Sequence, residues 1–221
     1  MDHTLMVEID GAEPLSTASV KALAGLCDRA EDRGGSGVVI VHVTGAPAGD
    51  WGSGLDVMLV SKWERAVRRL ERLPMATLAL AHGECGGAAL DAFLAADIRV
   101  AALDTRLLVH GDGSATWPGM AGFRLVQLAG AARTRRAVLF GLPIDAPEAR
   151  TLGIVDGLVD DPEQAVAAAA GLVSGLSGKD LAIRRQLLFD ARTMSFEDAL
   201  GPHLAACDRM LRASASAREA S

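Results

Sequence analysis

The chain has 221 residues, of which 50% are hydrophobic and 23% are charged. That length suits one α/β domain with a core of its own, and the composition excludes a disordered or fibrous protein. The formal net charge of −6 argues against non-specific binding to nucleic acid, which requires a basic face.

The elements predicted from the hydrophobic pattern alternate between strand and helix, which favours an α/β layer architecture. Strands are expected at 5–9, 38–43, 77–81, 98–102 and 106–109, and the continuous apolar run at 38–43 is typical of a buried parallel strand. Helices are expected from Ser16 or Thr17 to about 27, before Pro74, and then at 88–96, 121–128, 134–140, 147–152, 162–176 and 179–211, with a break at 193–195. The resulting organisation is one fold, with a core at 1–160, a helical region at 161–213 and a frayed polar tail at 214–221.

The helix before Pro74 is predicted to be amphipathic, with Trp63 and Val67 on its buried face. Glu64 stands one turn before Arg68, so these two side chains are expected to pair. They belong to a mixed-charge face that is predicted to be solvated and that also contains Arg65, Arg69, Glu71 and Arg72.

Targeting signals and metal-binding patterns are not evident in the sequence. No apolar run approaches the roughly 20 residues that span a bilayer, and the N-terminal residues lack the features of a secretory signal, which favours a cytoplasmic protein. The cysteines Cys27, Cys85 and Cys207 are odd in number and widely spaced. They are interpreted as reduced thiols in core positions, and no metal site is expected.

Two glycine-bearing loops, ending near residues 54 and 87, each follow an apolar strand. Backbone N–H groups in such a loop, or in the first turn of a helix, can bind a phosphate or stabilise an oxyanion. Tight turns that need positive φ would explain either loop equally well. Neither the dinucleotide fingerprint nor a phosphate loop ending in Gly-Lys-Ser/Thr is present. The residues alone leave both interpretations open.

The ordered motifs resemble the crotonase superfamily, which includes enoyl-CoA hydratases and isomerases. Residues 51–56 (Trp-Gly-Ser-Gly-Leu-Asp) resemble its first loop, and residues 83–91 (Gly-Glu-Cys-Gly-Gly-Ala-Ala-Leu-Asp) resemble its second. Similar matches follow at 95–97, 117–119, 124–125, 130 and 146–159, so that the resemblance runs from about residue 5 to 200. It implies a crotonase-like α/β spiral of ββα repeats with C-terminal trimerisation helices.

The resemblance also implies an acyl-CoA substrate and a way to hold it. In crotonases two backbone N–H groups bind the thioester oxygen as it becomes an enolate, and the matching positions here are Leu55 and Ala88. Coenzyme A enters as part of the substrate, and no separate cofactor is expected. The residues expected to contact the substrate are Gly54, Leu55, Asp56, Val57, Met58, Gly87 and Ala88.

Asp91 matches the first catalytic Glu of the superfamily, so the resemblance predicts that it transfers a proton. The alternative is an acid that only stabilises the first turn of a helix. The second catalytic Glu falls on Gly111, which leaves the flanking residues His110 and Asp112 as candidates for a second proton carrier. For these two, the alternative is a polar loop with an Asx turn at Asp112.

The chain is short and rich in Ala and Arg, and its second acid is altered. In these respects it resembles the small auxiliary hydratase-like enzymes of 3,5-dihydroxyphenylglycine biosynthesis in glycopeptide antibiotic pathways. The implied role is a dehydration that yields 3,5-dihydroxyphenylacetyl-CoA, with a type III polyketide synthase as partner and a homotrimer or hexamer as the assembly. The alternatives are an enoyl-CoA isomerase with Asp91 as its only acid, and a catalytically weak partner protein of the synthase.

Overall fold

The computed structural model describes residues 4–35, 37–49, 51–52, 54–111, 115–173 and 178–219. Within this part of the chain, seven strands form one sheet. Six of them are parallel, and five of these six lie side by side in the order β1 (Thr4–Asp10), β2 (Val38–Gly45), β3 (Ala76–Gly86), β4 (Ile98–Ala101) and β7 (Gly157–Leu158). The remaining two are β5 (Arg106–Leu108), which pairs in parallel with the end of β3, and β6 (Ile144–Asp145), which pairs antiparallel with β5.

Helices connect and cover these strands. The first three are α1 (Thr17–Asp32), α2 (Val57–Leu70) and α3 (Gly87–Leu94), each between consecutive parallel strands. The later ones are α4 (Met120–Ala129), α5 (Ala131–Phe140), α6 (Ala146–Thr151), α7 (Pro162–Val173), α8 (Gly178–Asp190) and α9 (Phe196–Glu219). The predicted break in the last helical region is confirmed between α8 and α9.

The polar tail differs from the prediction, because α9 continues through Glu219 instead of fraying from residue 214. Residues 211–219 consist mainly of Ala, Arg and Ser with one Leu and one Glu, and neither Gly nor Pro interrupts them. Ala and Arg are among the strongest helix formers, so the helix that begins at Phe196 can extend through this segment.

The two central strands, β2 and β3, are apolar at 38–41 and 78–81 because both of their faces are covered there. Alternate side chains of a strand point to opposite faces. One face joins the main core under α1, α2 and α3 through Val39, Val41, Val43, Ala79 and Ala81. The other forms a smaller cluster with Ala165 of α7 through Val38, Ile40, Leu78 and Leu80. The prediction of a buried parallel strand at 38–43 is confirmed.

Arg185 attaches α8 to this core. Arg185 is only 6% exposed. Its Nε and Nη2 donate to the two carboxylate oxygens of Asp97, each over 2.6 Å. The guanidinium also donates to the main-chain carbonyls of Leu73 and Met75. A buried charge is stable only when it is paired in this way, so these contacts fix the C-terminal helices to the entry of β3.

The cysteines lie in two kinds of environment. Cys27 and Cys85 are buried, as predicted, and burial raises the pKa of the Cys27 thiol to about 11. Cys207 is exposed on α9, so its prediction as a core residue was wrong. Among the described residues, α9 packs mainly against α8, which leaves little apolar surface to cover a thiol there. No helix in the described ranges is long and apolar enough to cross a membrane.

Candidate active site

A pocket lies where several strands of the sheet end, and it is called here the strand-end pocket. Its wall includes Gly11 after β1, Pro47 after β2, Ala88 after β3 and His110 after β5. Ligands of α/β sheets characteristically bind outside the carboxyl ends of parallel strands. The wall is mainly apolar, and its larger side chains include Trp51, Leu55, Trp63, Leu90, Leu108 and Trp117.

The chain passes directly from β3 into α3 at this pocket. Gly86 caps the helix without a side-chain hydrogen bond, so the first-turn N–H groups, including that of Ala88, have no capping side chain. Gly87 has φ +52°, and a Cβ there would lie 2.6 Å from Pro47 Cγ. Glycine at this position therefore allows the Pro47 loop to approach the helix closely, and Ala88 lines the pocket beside it.

Leu55 lines the same pocket, but its N–H group already has a partner. It donates to the carbonyl of Gly52 over 3.1 Å, and Gly54, with φ +81°, closes the turn between them. In this conformation the N–H of Leu55 could reach a thioester oxygen only by exchanging that turn bond. The motif resemblance gave no indication of this competing bond.

The other residues predicted from the first loop lie outside the wall of the strand-end pocket. Asp56 caps α2, and its carboxylate accepts a hydrogen bond from the N–H of Leu59 over 2.7 Å. Val57 and Met58 are 79% and 60% exposed in the first turn of α2, and Gly54 is exposed as well. Contacts of these four residues with a bound acyl-CoA stay a prediction.

Asp91 lies on α3, three residues after Ala88, and its carboxyl group is held from two sides. The indole Nε1 of Trp63 donates to Oδ2 over 3.0 Å. The guanidinium of Arg124 donates to Oδ1 over 3.4 Å. The side chain is 15% exposed and lines the strand-end pocket. Both carboxyl oxygens therefore have fixed donors, which orients the group inside an apolar wall.

Arg124, on α4, binds three carboxylates at once. Besides Asp91, its Nε donates to Glu71 over 2.7 Å and its Nη2 donates to Glu64 over 2.9 Å. The side chain of Arg124 is 8% exposed, that of Glu71 is 9% exposed and that of Glu64 is 21% exposed. These four residues are called the Arg124 cluster below.

The prediction that Glu64 pairs with Arg68 on a solvated helix face was wrong. Arg68 pairs with Glu71, while Glu64 pairs with Arg124. The reason is that α4 supplies a buried guanidinium next to this face of α2. An exposed ion pair one turn apart stabilises a helix by only about 0.2–0.5 kcal/mol. The buried guanidinium of Arg124 is costly without partners, so Glu64 pairs with Arg124 instead of Arg68.

The surroundings of Asp91 favour its protonated form. Burial raises the pKa of Asp91 to about 7, and the nearby Glu64 carboxylate adds to the rise, while Arg124 and the hydrogen bond from Trp63 oppose it. A carboxyl group that titrates near neutral pH is suited to general acid or base catalysis. The position of Asp91 in the pocket and its raised pKa are compatible with the predicted proton transfer, which stays a prediction.

His110 lies in the same pocket within a group of aromatic rings. Its ring contacts that of Trp51 edge-to-face at 5.0 Å between centroids, and Trp51 contacts Trp117 in the same manner at 4.9 Å. The main-chain N–H of Trp117 donates to the main-chain carbonyl of His110 over 2.6 Å. Asp112, the other candidate for a second proton carrier, lies outside the described residues.

The sequence of this chain is similar to those of known proteins. Residues 51–219, well over half of the chain, match the family model described as enoyl-CoA hydratase/isomerase. A protein of Amycolatopsis orientalis named enoyl-CoA-hydratase is 54% identical over 216 residues, which cover 98% of this chain and 100% of that protein. The chain belongs to the enoyl-CoA hydratase/isomerase family.

More distant members of the enoyl-CoA hydratase/isomerase family confirm the crotonase-like fold. An enoyl-CoA hydratase/isomerase structure from Marinobacter aquaeolei aligns with a TM-score of 0.82 at 18% identity, covering 95% of this chain and 88% of that one. An enoyl-CoA hydratase/isomerase family protein from Silicibacter pomeroyi gives 0.80 at 20% identity, covering 96% of each. In a comparison of sequences, a probable enoyl-CoA hydratase of Bacillus subtilis is 27% identical over 206 residues, covering 86% of this chain and 79% of that protein.

Within this family member, the structure brings five predicted residues to one pocket and adds others. The five that share the wall of the strand-end pocket are Leu55, Gly87, Ala88, Asp91 and His110. The Arg124 cluster was not predicted. The sequence contains one indication of it: Arg124 is the only charged residue in the otherwise mainly apolar stretch 120–129. In the part of the chain that the structure describes, no group of three His, Cys, Asp or Glu residues could hold a metal ion.

The pKa of Asp91 predicts a pH-dependent stability. Its folded-state pKa of about 7 lies above the unfolded value of about 3.9, so the folded protein keeps a proton that the unfolded chain loses between these pH values. This contribution is fully present below the unfolded pKa and is lost as the pH rises through the folded pKa. The free energy of unfolding should fall by about 1.4 kcal/mol per pH unit from this group between roughly pH 5 and 7.

Urea unfolding at one fixed protein concentration measures this slope. Asp91→Asn should remove it, while Asp32→Asn, at the exposed end of α1, should keep the wild-type slope. An Asp91→Asn protein with the full wild-type pH dependence would contradict the raised pKa.

Proposed function

We propose that the chain is a hydratase or dehydratase that acts on an acyl-CoA thioester through an enolate. The observation that carries the proposal is the pairing of a first-turn N–H group at Ala88 with a carboxyl group at Asp91 in one mainly apolar pocket. An N–H donor at the start of a helix stabilises negative charge on the thioester oxygen. A carboxyl group whose pKa is near 7 can exchange a proton with the carbon next to that thioester.

In the dehydration direction, the Asp91 carboxylate removes the proton from the α-carbon, and the electron pair moves onto the thioester oxygen. The enolate is held by the N–H of Ala88, and by that of Leu55 once its bond to Gly52 has been exchanged. The enolate then collapses to a carbon–carbon double bond as the β-hydroxyl leaves. Asp91 returns its proton to that hydroxyl, which departs as water. Hydration is the reverse of these steps.

For the substrate, we infer an aromatic or ring-forming acyl group, as in the dehydration that yields 3,5-dihydroxyphenylacetyl-CoA. Three tryptophans, Trp51, Trp63 and Trp117, line the strand-end pocket and suit a planar ring. The resemblance of the short chain to the auxiliary enzymes of that pathway also supports this assignment. A type III polyketide synthase in the cytoplasm would then supply the substrate.

A double-bond isomerase is the second candidate. It is favoured by Gly111, which stands where the family has its second catalytic Glu, because one carboxyl group can move a single proton between the α- and γ-carbons. Asp91 would then be the only acid required.

The test is turnover of two thioesters by the purified protein. Hydration of crotonyl-CoA, followed by loss of its conjugated-thioester absorbance, supports the hydratase. Conversion of a β,γ-enoyl-CoA to the conjugated isomer without hydration supports the isomerase. No turnover of either thioester or of the polyketide thioester that the synthase releases, together with co-purification with a type III polyketide synthase, would support the partner protein and contradict both enzymes.

We also propose that the protein assembles as a trimer or a dimer of trimers. The C-terminal helices carry large apolar side chains on their surface, including Leu188, Phe196, Leu204 and Leu211, which are 69%, 75%, 58% and 70% exposed. A surface of this kind is characteristic of an interface. Light scattering at micromolar concentration should give three or six times the subunit mass of 22.9 kDa. A monomer under these conditions would contradict the assembly.

A further inference from the structure

The Arg124 cluster contains more negative than positive charge in a largely buried place. Three carboxyl groups, those of Glu64, Glu71 and Asp91, contact one guanidinium. Carboxylates that share a site in this manner cannot all ionise readily, because like charges raise the pKa of at least one of them. One proton is therefore expected to bind to the Arg124 cluster and to be released from it near neutral pH.

The distances indicate which carboxyl group keeps that proton. Glu71 and Glu64 lie 2.7 Å and 2.9 Å from nitrogens of Arg124, whereas Asp91 lies 3.4 Å away. Glu71 also pairs with Arg68, so a second guanidinium offsets its charge. Asp91 has the weakest contact with the cation, and although Glu64 also lines the strand-end pocket, the side chain of Asp91 is the less exposed of the two. It is the member of the cluster whose ionised form is least stabilised.

We propose that Glu64 is a positioning residue, which occupies Arg124 and thereby sets how strongly Asp91 holds its proton. With Glu64 ionised, Arg124 is shared between three anions and stabilises the Asp91 carboxylate only weakly. Without that negative charge, Arg124 would stabilise the Asp91 carboxylate more strongly. The direction agrees with the raising effect of Glu64 on the pKa of Asp91. The effect of Glu64 on proton binding by Asp91 does not depend on the proposed function, whereas its importance for catalysis rests on that function.

Several charged or titratable groups surround Asp91, and a test of Glu64 must leave the charges of the others unchanged. In the described part of the chain, the charged and titratable groups around it are Glu64 on α2, Glu71 at the C-cap of α2, Arg124 on α4, Cys85 on β3, and Glu13 and His110 on the pocket wall. Glu64→Gln changes one charge in this set and keeps the size of the side chain. Its amide oxygen can still accept the hydrogen bond from Arg124.

Trp63 provides a direct reporter, because its indole N–H donates to Asp91. The chain has three tryptophans, so protein labelled with ¹⁵N-tryptophan gives three indole signals, and Trp63→Phe identifies the one from Trp63. In the wild type this signal should titrate with the midpoint of Asp91, and in Asp91→Asn it should lose that titration. In Glu64→Gln the midpoint should move to lower pH by about 1 unit or more.

The pH profile of kcat is the second readout. Glu64→Gln should shift the limb that reports Asp91 in the same direction as the indole titration. The matched control is Glu148→Gln, at an exposed position on α6, which should leave both midpoints unchanged.

Two results would overturn the inference. One is an indole midpoint that does not move in Glu64→Gln. The other is a large fall in maximal kcat without any shift of the midpoint, which would make Glu64 a catalytic residue in its own right. Because the indole titration requires no turnover, an inactive wild type would contradict the proposed function alone.

Discussion

Replacing Asp91 with Asn should lower kcat on an acyl-CoA substrate about a hundredfold or more. Asn has the same size and keeps an oxygen that can accept the hydrogen bond from Trp63, but it can neither take up nor release a proton near neutral pH. The measurement is steady-state turnover of whichever thioester the wild type accepts. Calorimetric titration with the thioester should show that binding is retained, since the substitution leaves the wall of the strand-end pocket otherwise intact.

Asp32→Asn is the matched control, since it makes the same substitution on the exposed surface and should keep wild-type kcat. Circular dichroism confirms that both variants are folded. Unchanged turnover in Asp91→Asn would move the acid elsewhere, with His110 in the same pocket as the next candidate. Asp91 would then have only a structural role, as the acceptor of hydrogen bonds from Trp63 and Arg124, because it lies beyond the first turn of α3 and cannot serve there as a first-turn acid.

The second large effect is expected from Ala88→Pro. Proline removes the N–H donor, and it is tolerated in the first turn of a helix, where that N–H has no intrahelical partner. Loss of one oxyanion donor costs about 3 kcal/mol of transition-state stabilisation, which corresponds to roughly a hundredfold in kcat/KM. The measurement is kcat/KM on the acyl-CoA substrate of the wild type.

Ala18→Pro is the control for any general effect of proline. Ala18 is the second residue of α1, as Ala88 is of α3, and it is exposed. Its variant should keep wild-type kcat/KM. A folded Ala88→Pro protein with near-normal activity would show that no oxyanion hole operates at α3. The enolate mechanism would then have to be given up, although the fold would stand.

Much of the fold could be predicted because its signals are local. The apolar run at 38–43 and the amphipathic stretch before Pro74 each indicate one element by their period. β6 and β7 were not predicted, since two residues each are too few to show a period. The extension of β3 to Gly86 was also missed, because its glycine-rich end looks like a turn and is made a strand by pairing with β5.

The site could be predicted only where a residue lies in a motif. Ala88 and Asp91 follow from the second glycine loop, and the fold brings them to the pocket because that loop ends a strand. The Arg124 cluster depends on the packing of α4 against α2, and Arg124 is 60 residues from Glu64 in the chain. No local rule connects them, and the spacing of Glu64 and Arg68 favoured the wrong partner.

The contacts of Arg185 also affect how the protein is made. Arg185 is 112 residues from Leu73 and 88 residues from Asp97, so its buried acceptors are synthesised long before it. When only β1 to β4 of a nascent chain have emerged from the ribosome, the main-chain carbonyls at the entry of β3 lack the guanidinium of Arg185. Unpaired buried polar groups are costly. The growing chain is therefore expected to become resistant to proteases only after α8 has left the ribosome, although the strand-end pocket is encoded almost entirely upstream.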